Sequence, residues 1–396
     1  MKAKKVLILT TNYGDGHLKV AKSIEKELIK KDPNVQVKIL NLFHEAHPYI
    51  NKCIRFLYLK CYSKMPQIYD LLYYSTKDIK TNFYINNLIG LFGKRTLRKN
   101  LGQMKPDLVL NTFPVLAMPI LYKKGKTNIP CYTVITDYGI HSQWIDPGVS
   151  RYFIGHEVLY KQLIDQGVSA DKVEVTGIPV NIESEGITRE ELVKKYDLNS
   201  TDCPIVTLLA GANGVICSLD KIVDRLYNIE PKIQVIIACG KNKILRARTE
   251  KVVQGKYDDR IKVFGFVDNL HEVMRGSDIV ITKAGGITTT EALNMNVPLI
   301  IFGSPAGQEK ENTKFLLNSK CAYYAKNYKQ LLSTLTHVLD NKELVKDMID
   351  KTKHISVSGG SDKIAENILI KINEENESLK VGSEPEKWNN PLAELI

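Results

Sequence analysis

The chain has 396 residues, 43% hydrophobic and 25% charged, which is too long for one ordinary core and suggests two globular domains. It holds no apolar run long enough for a membrane-spanning helix, and its seven scattered cysteines include no Cys-x-x-Cys pair, which argues against a disulfide framework and a zinc site. The formal charge of +11 is concentrated early: residues 1–180 carry 26 Lys+Arg against 14 Asp+Glu, and the remainder carries 29 against 30.

Met1-Lys2-Ala3-Lys4-Lys5 runs directly into an apolar strand, Val6–Thr10, too short for the core of a signal peptide. A reducing cytoplasm fits the cysteine usage. The strand opens onto the loop Thr11–Gly16 and a helix near His17–Lys31. Gly14-Asp15-Gly16-His17 lacks the third glycine of a dinucleotide fingerprint, yet its two glycines permit close backbone approach. His17 stands at a helix start. A neutral imidazole there can take the proton of a hydroxyl, or it can simply cap and pack. Val35–Leu40 is the second strand.

Residues 45–103 read as a long, mostly helical excursion. Within residues 51–100 there are 10 basic and 2 acidic side chains, interleaved with nine Tyr and Phe that include Phe56, Tyr58, Tyr62, Tyr73, Tyr74 and Phe92. That mixture suits an anionic membrane surface, with Lys94, Arg95, Arg98 and Lys99 as docking residues. A solvated basic face would read the same way, and nucleic acid would attract the same charge.

Leu108–Asn111, Cys131–Thr136, Tyr152–Gly155 and Val173–Thr176 complete a first set of strands. Thr136-Asp137-Tyr138 follows the second of these, with His141 and Trp144 close behind. Asp137 falls at the C-terminal edge of a strand. There it can orient His17, act as the base itself, bind an acceptor, or cap a helix. Residues 181–204 are charged and irregular, with one short helix, and read as a linker. A second set of strands follows: Ile205–Leu209, Val235–Ala238, Ile261–Phe264, Ile279–Thr282 and Leu299–Phe302. Strands alternating with helices predict parallel sheets covered on both faces. The fold expected is α/β, with Rossmann-like domains at 1–180 and 205–373 and a polar tail at 374–396.

The second set of strands ends repeatedly in glycine turns. Gly211-Ala212-Asn213-Gly214, Gly240-Lys241-Asn242 and Gly265-Phe266-Val267 each follow one strand, and Lys241 and Asn242 are expected with the other turns to bind the donor. The most informative stretch runs from Lys283 to Asn312. After the strand at 279–282 comes the turn Ala284-Gly285-Gly286, and then a helix predicted over Thr288–Asn294. Two glycines at a helix start offer free N–H groups and a positive dipole end, where a nucleotide diphosphate would sit. Glu291, one turn in, can accept hydrogen bonds from a ribose diol. After the next strand, Gln308, Glu309 and Asn312 supply the amides and carboxylate that suit a polyhydroxyl ligand such as a hexose.

Other chemistries lack their motifs. There is no Gly-x-x-x-x-Gly-Lys-Ser/Thr, no His-Glu-x-x-His and no Gly-x-Ser-x-Gly. No Asp-x-Asp occurs, so a metal-bridged diphosphate is not expected. Charge on a leaving diphosphate would be met by backbone N–H groups, a helix dipole and Lys283.

These residues resemble the nucleotide-sugar site of glycosyltransferase family 28, and the likeness runs over roughly residues 5–370. It is most pronounced toward the bacterial processive diacylglycerol β-glucosyltransferases in Leu9-Thr10-Thr11-Asn12-Tyr13-Gly14-Asp15-Gly16-His17 and in Asn111-Thr112-Phe113-Pro114. The resemblance implies the two-Rossmann GT-B architecture, with a terminal helix crossing back to the first domain. It implies that Gly285, Gly286, Ile287 and Thr288 form the phosphate turn, that Glu291 binds ribose, and that Gln308 and Glu309 bind the sugar. By the same likeness the Gly211–Gly214 loop faces the diphosphate, the backbone at Phe266 and Val267 reads the uracil edge, and His17 takes the place of a catalytic histidine.

The activity so implied is inverting transfer of glucose from UDP-glucose to 1,2-diacylglycerol, with repeated addition, by a peripheral enzyme at the cytoplasmic membrane face. Tyr138 and Trp144 are expected near the lipid acceptor. No metal cofactor and no nucleic-acid partner are expected. The residues do not separate His17 from Asp137 as base. Another sugar, galactose or N-acetylglucosamine, on another lipid remains open, as do a nucleotide-sugar epimerase, a membrane-bound UDP-sugar sensor and the oligomeric state.

Overall fold

The computed structural model describes residues 3–77, 93–114, 118, 121, 127–182, 187–212, 214, 219–230, 232–254 and 259–381. Two six-stranded parallel sheets organise them. The first contains β1 (Lys5–Thr10), β2 (Gln36–Asn41), β3 (Leu108–Asn111), β4 (Cys131–Val134), β5 (Arg151–Ile154) and β6 (Val173–Val175), in the order β2-β1-β3-β4-β5-β6. The second contains β7 (Ile205–Leu209), β8 (Gln234–Ala238), β9 (Ile261–Phe264), β10 (Ile279–Thr282), β11 (Leu299–Phe302) and β12 (Ala322–Ala325), in the order β12-β11-β10-β7-β8-β9. The expected GT-B arrangement is therefore present. β12 was not anticipated.

Strand composition explains the burial. Val6, Leu7, Ile8 and Leu9 are all fully buried, as a parallel strand covered by helices on both faces requires. Helix α1 (Asp15–Lys31) places Val20, Ala21, Ile24 and Leu28 on the face that packs on the first sheet. Asp15 lies in its first turn and Lys30 and Lys31 in its last, each sign matched to the helix dipole.

Strand order places the site. In the first sheet the order reverses between β1 and β3, and in the second between β7 and β10. A crevice opens at the carboxyl ends of strands where the order reverses, because the flanking loops turn to opposite faces. The loops after β1, β3, β7 and β10 are those that carry His17, Phe113, Gly211 and Gly285. The two crevices face each other.

The chain crosses between domains twice. The first crossing passes Gly177 (φ +86°), and a Cβ there would collide with the backbone oxygen of Val357 in the second crossing. The second crossing leads into the helix Gly360–Val381, which returns to the first domain. Ser361 Oγ lies 2.6 Å from Ser23 Oγ, and Lys31 pairs with Asp362 at 2.8 Å. Arg151 donates to Asn367 at 2.7 Å. The helix runs past the boundary expected at residue 374. The linker helix Arg189–Lys195 buries Leu192 against Ile236 and Val273 of the second domain.

The excursion after β2 is helical, as expected, in its described parts. Helices α2 (Pro48–Lys64) and α3 (Pro66–Ser75) both start with proline at the first helical position. Helix α4 (Lys94–Met104) buries Leu97 and Leu101 and leaves Arg95, Arg98 and Lys99 exposed. Phe92 lies outside the described residues.

Candidate active site

The facing loops enclose a cleft of about 470 Å³ between the domains. His17 reaches it from the start of α1. Its Nδ1 lies 2.8 Å from the carbonyl oxygen of Thr112 and 3.2 Å from Thr136 Oγ1. A carbonyl only accepts, so Nδ1 carries the proton and Nε2 keeps its lone pair. The ring packs edge-on against Phe113 and beside Trp144, at centroid distances of 5.1 and 6.4 Å. Burial outweighs the Thr112 carbonyl and pushes the imidazole pKa down to about 4, so the ring is neutral.

Asp137 also lines the cleft. Burial pushes its carboxyl up to about 6, against an opposing hydrogen bond from Asn312. The hydrogen bonds of His17 run to Thr112 and Thr136, so Asp137 does not orient the imidazole.

From the second domain, helix α5 (Gly286–Asn294) points its N-terminus at the cleft, and Gly285, Gly286, Ile287 and Thr288 all line it. The first bond of the helix runs from Thr289 N to Gly285 O at 3.0 Å. The amides of residues 286–288 therefore have no acceptor within the helix. The two glycines do different jobs. A Cβ on Gly285 would meet little, the nearest atom being Glu309 Oε1 at 3.9 Å. A Cβ on Gly286 would collide with the backbone oxygen of Thr136, across the domain boundary. Gly285 is thus the open position and Gly286 the position of domain contact.

Lys283, partly exposed, and Glu309, buried, form an ion pair at 2.7 Å on the cleft wall. Burial opposes the lysine's charge, but Glu309 raises its pKa overall. Gln308 begins helix α6 (Gln308–Asn318) and lines the cleft beside this pair. Glu291 lies one turn into α5 and is 4% exposed. Its Oε1 is 3.4 Å from Lys19 Nζ, and its Oε2 has no hydrogen-bond partner. Gly211 and Ala212 face the cleft after β7, while Asn213 lies outside the described residues.

Four expectations need correction. Asn312 is spent on the domain interface. Its Oδ1 accepts from Tyr138 N at 2.7 Å, and its Nδ2 donates to Asp137 Oδ1 and Ala284 O, each at 2.9 Å. That leaves it no N–H for a sugar. Tyr138 is buried, stacked on Phe315 at 4.2 Å and bonded to Thr290 at 2.9 Å, so it joins the domains and does not meet an acceptor. Asn242 caps the helix Lys243–Val253, accepting from Leu245 N at 2.9 Å, and ties Gly214 O at 3.1 Å. Lys241 pairs with Asp15 across the boundary and does not line the cleft. Phe266 and Val267, expected at the uracil edge, stand after β9, and Phe266 is half exposed. Lys94, Arg95, Arg98 and Lys99, expected as membrane-docking residues, sit on α4, where Arg95, Arg98 and Lys99 are exposed.

Several cleft residues carried no sequence signal for this role. Tyr58, Tyr69 and Tyr73 come from α2 and α3, and Phe113 and Thr136 from the ends of the first-sheet strands. Among the described residues no group of three or more His, Cys, Asp or Glu is placed to hold a metal ion.

Two parallel sheets facing across one cleft, with a free helix N-terminus on one side and a neutral histidine on the other, define a two-Rossmann enzyme of the GT-B class. Residues 17–180 match the monogalactosyldiacylglycerol (MGDG) synthase family, and residues 210–367 match the glycosyltransferase family 28 C-terminal domain. A processive diacylglycerol beta-glucosyltransferase of Bacillus cereus (strain AH187) is 35% identical over 374 residues, covering 93% of this chain and 94% of that protein. The chain therefore belongs to glycosyltransferase family 28, among the relatives of the processive diacylglycerol beta-glucosyltransferases. Solved structures of the same fold include MurG of Acinetobacter baumannii, 14% identical with a TM-score of 0.58 over 93% of this chain and 100% of that one. The S. aureus MnaA–UDP co-structure is 15% identical, with a TM-score of 0.61 over 96% of this chain and 99% of that one.

Gly286→Ala tests whether domain contact assembles the cleft. The added methyl holds the domains apart, and misplacement on that scale lowers turnover about 10²-fold. UDP binding measured by calorimetry is expected to fall much less. Wild-type turnover in this variant would show that the contact is dispensable.

Proposed function

We propose that this chain transfers glucose from UDP-glucose to 1,2-diacylglycerol, and again to the monoglucosyl product, at the cytoplasmic face of the membrane. The observation that carries the reading is the pairing, in one cleft, of a neutral His17 with the free start of α5. The activity for which the relatives are named supplies the sugar and the acceptor. The first domain, residues 1–180, serves the acceptor, and the second, residues 205–373, serves the donor.

The diphosphate lies against Gly285 and the amides of residues 286–288, where the helix dipole favours negative charge. Glu291 is the ribose ligand. Its buried, unpartnered Oε2 calls for a donor such as a hydroxyl. Gln308 and Glu309 hold the sugar hydroxyls. The acceptor hydroxyl gives its proton to His17 Nε2 as its oxygen bonds to the anomeric carbon. The bond from that carbon to the diphosphate breaks, and UDP leaves with the electron pair. One in-line displacement turns an α-linked donor into a β-linked product. Lys283 and the α5 amides stabilise charge on the leaving group, in a water-poor cleft where such contacts are strongest.

Helices α2 and α3 supply the membrane contact. Tyr49 is 85% exposed, Leu71 71% and Phe56 63%, with Ile54, Leu57 and Ile68 also open. So many exposed large apolar side chains on two consecutive helices suit an interaction site. Lys52, Lys60 and the exposed side of α4 add positive charge. No helix among the described residues is long and apolar enough to cross a membrane.

His17→Ala is expected to lower turnover by about 10²–10⁴ and to leave UDP affinity nearly unchanged. A general base works only unprotonated, so wild-type kcat/KM falls as pH drops through the base's own pKa. With His17 as base that acidic limb lies near 4. A limb near 6, together with an active His17→Ala variant, would assign the role to Asp137.

For the membrane, replacing Phe56, Leu57 and Leu71 with Ser weakens binding to anionic vesicles at all salt concentrations. Replacing Arg95, Arg98 and Lys99 with Gln weakens it by about 1 kcal/mol each, and only at low salt. Sedimentation with vesicles reads both. Unchanged binding in both variants would locate the membrane contact elsewhere.

A further inference from the structure

The stretch read from sequence as a basic, aromatic surface turns a second face toward the cleft, and there it meets the loop that begins α6. Tyr69 Oη donates to Gln308 Oε1 at 2.5 Å, and Gln308 Nε2 lies 3.4 Å from Tyr58 Oη. The two phenol rings pack edge to face, with centroids 5.6 Å apart. Next to them Asp70 accepts from Gly307 N at 3.0 Å and pairs with Lys310 at 2.9 Å. Gly307 adopts φ +57°, and a Cβ there would lie 2.6 Å from Tyr69 Cε1, so no side chain separates the helix from the loop. Tyr58, Tyr69, Gln308 and Glu309 all line the cleft.

We infer that Tyr69, assisted by Tyr58, is a positioning residue for the donor sugar. It fixes the Gln308 amide from the acceptor domain and so sets which sugar hydroxyl that amide can meet. The inference rests on the reading of Gln308 as a sugar ligand. An amide has two hydrogens and an oxygen with two lone pairs. With one phenol held on each end, the remaining hydrogen and lone pair project in fixed directions. A free glutamine at a helix start would lose rotamer entropy on binding and would accept an axial or an equatorial hydroxyl alike. Burial holds both phenols above the ordinary tyrosine range, so they remain neutral hydrogen-bonding groups at all working pH values. The consequence is that discrimination at the donor sugar depends on side chains of the first domain, although the nucleotide loops all lie in the second.

The test compares Tyr69→Phe, Tyr58→Phe and Gln308→Ala in the full-length chain with diacylglycerol vesicles. The readouts are kcat and KM for UDP-glucose and UDP-galactose, and the affinity of UDP alone. Tyr69→Phe is expected to raise the KM for UDP-glucose about tenfold with little change in kcat, the scale of one lost hydrogen bond. The preference for glucose over galactose falls by a similar factor, and UDP affinity stays at the wild-type value. Gln308→Ala shows the same loss of preference. If Gln308→Ala loses the preference and Tyr69→Phe keeps it, the positioning role is wrong while Gln308 remains a sugar ligand. If Gln308→Ala keeps the preference, the sugar-ligand reading fails and the inference fails with it. A fall in UDP affinity equal to the fall in UDP-glucose affinity in Tyr69→Phe would show a general packing contact and overturn the inference.

Discussion

The structure depends on how closely two sheet edges can approach. Gly286 abuts the backbone of Thr136 where a methyl group would collide, and a Cβ on Gly16 would lie 3.0 Å from Ile287. Asn312 then bonds the backbone of Tyr138 and the carboxylate of Asp137 together with its own domain's Ala284. Tyr138 stacks on Phe315 behind it. These contacts bring the start of α1 and the start of α5 into one enclosure. One continuous apolar core, from Val6 and Ile8 through Ile178 to Ala284 and Ile287, runs beneath the boundary.

The same closure sets the electrostatics. Removing water disfavours charge, so a base and an acid shift in opposite directions. His17 moves down to about 4 and Asp137 up to about 6. Lys283 and Glu309 keep their pairing because each supplies the other's counter-charge at 2.7 Å. Helices α2 and α3 extend the arrangement. Their inner sides carry Tyr58, Tyr69 and Asp70 onto the second domain, and their outer sides expose Phe56, Leu57 and Leu71. On the proposed function, one helix pair thus touches both the lipid surface and the sugar pocket.

Much of the fold was legible because buried parallel strands are short, continuous apolar runs. Leu108–Asn111, Ile205–Leu209, Ile261–Phe264 and Ile279–Thr282 appear with the bounds expected. β12 escaped because Ala-Tyr-Tyr-Ala has neither β-branched residues nor clear alternation. For the cleft, two of the glycine turns after strands, at Gly211 and at Gly285-Gly286, mark loops that line it. They did not say which polar side chain faces a ligand and which faces the other domain. Asn312 and Asn242 follow strands as expected, yet the Asn312 amide is consumed by Tyr138, Asp137 and Ala284, and that of Asn242 by its own helix start and the Gly214 carbonyl. Tyr58 and Tyr69 were hidden for the converse reason. A helix carrying apolar and aromatic residues all round does not reveal which side turns inward, and the partner Gln308 lies 239 residues beyond Tyr69.

Transfer of glucose to a lipid hydroxyl with inversion is recorded in the stereochemistry of the product. The full-length chain is incubated with UDP-[13C]glucose and diacylglycerol in anionic vesicles, and the lipid fraction is examined by mass spectrometry and carbon NMR. Mono- and diglucosyl diacylglycerol with β-anomeric signals are expected. An α-anomeric product, or labelled UDP-sugar consumed with no glycolipid formed, would contradict inverting transfer to the lipid.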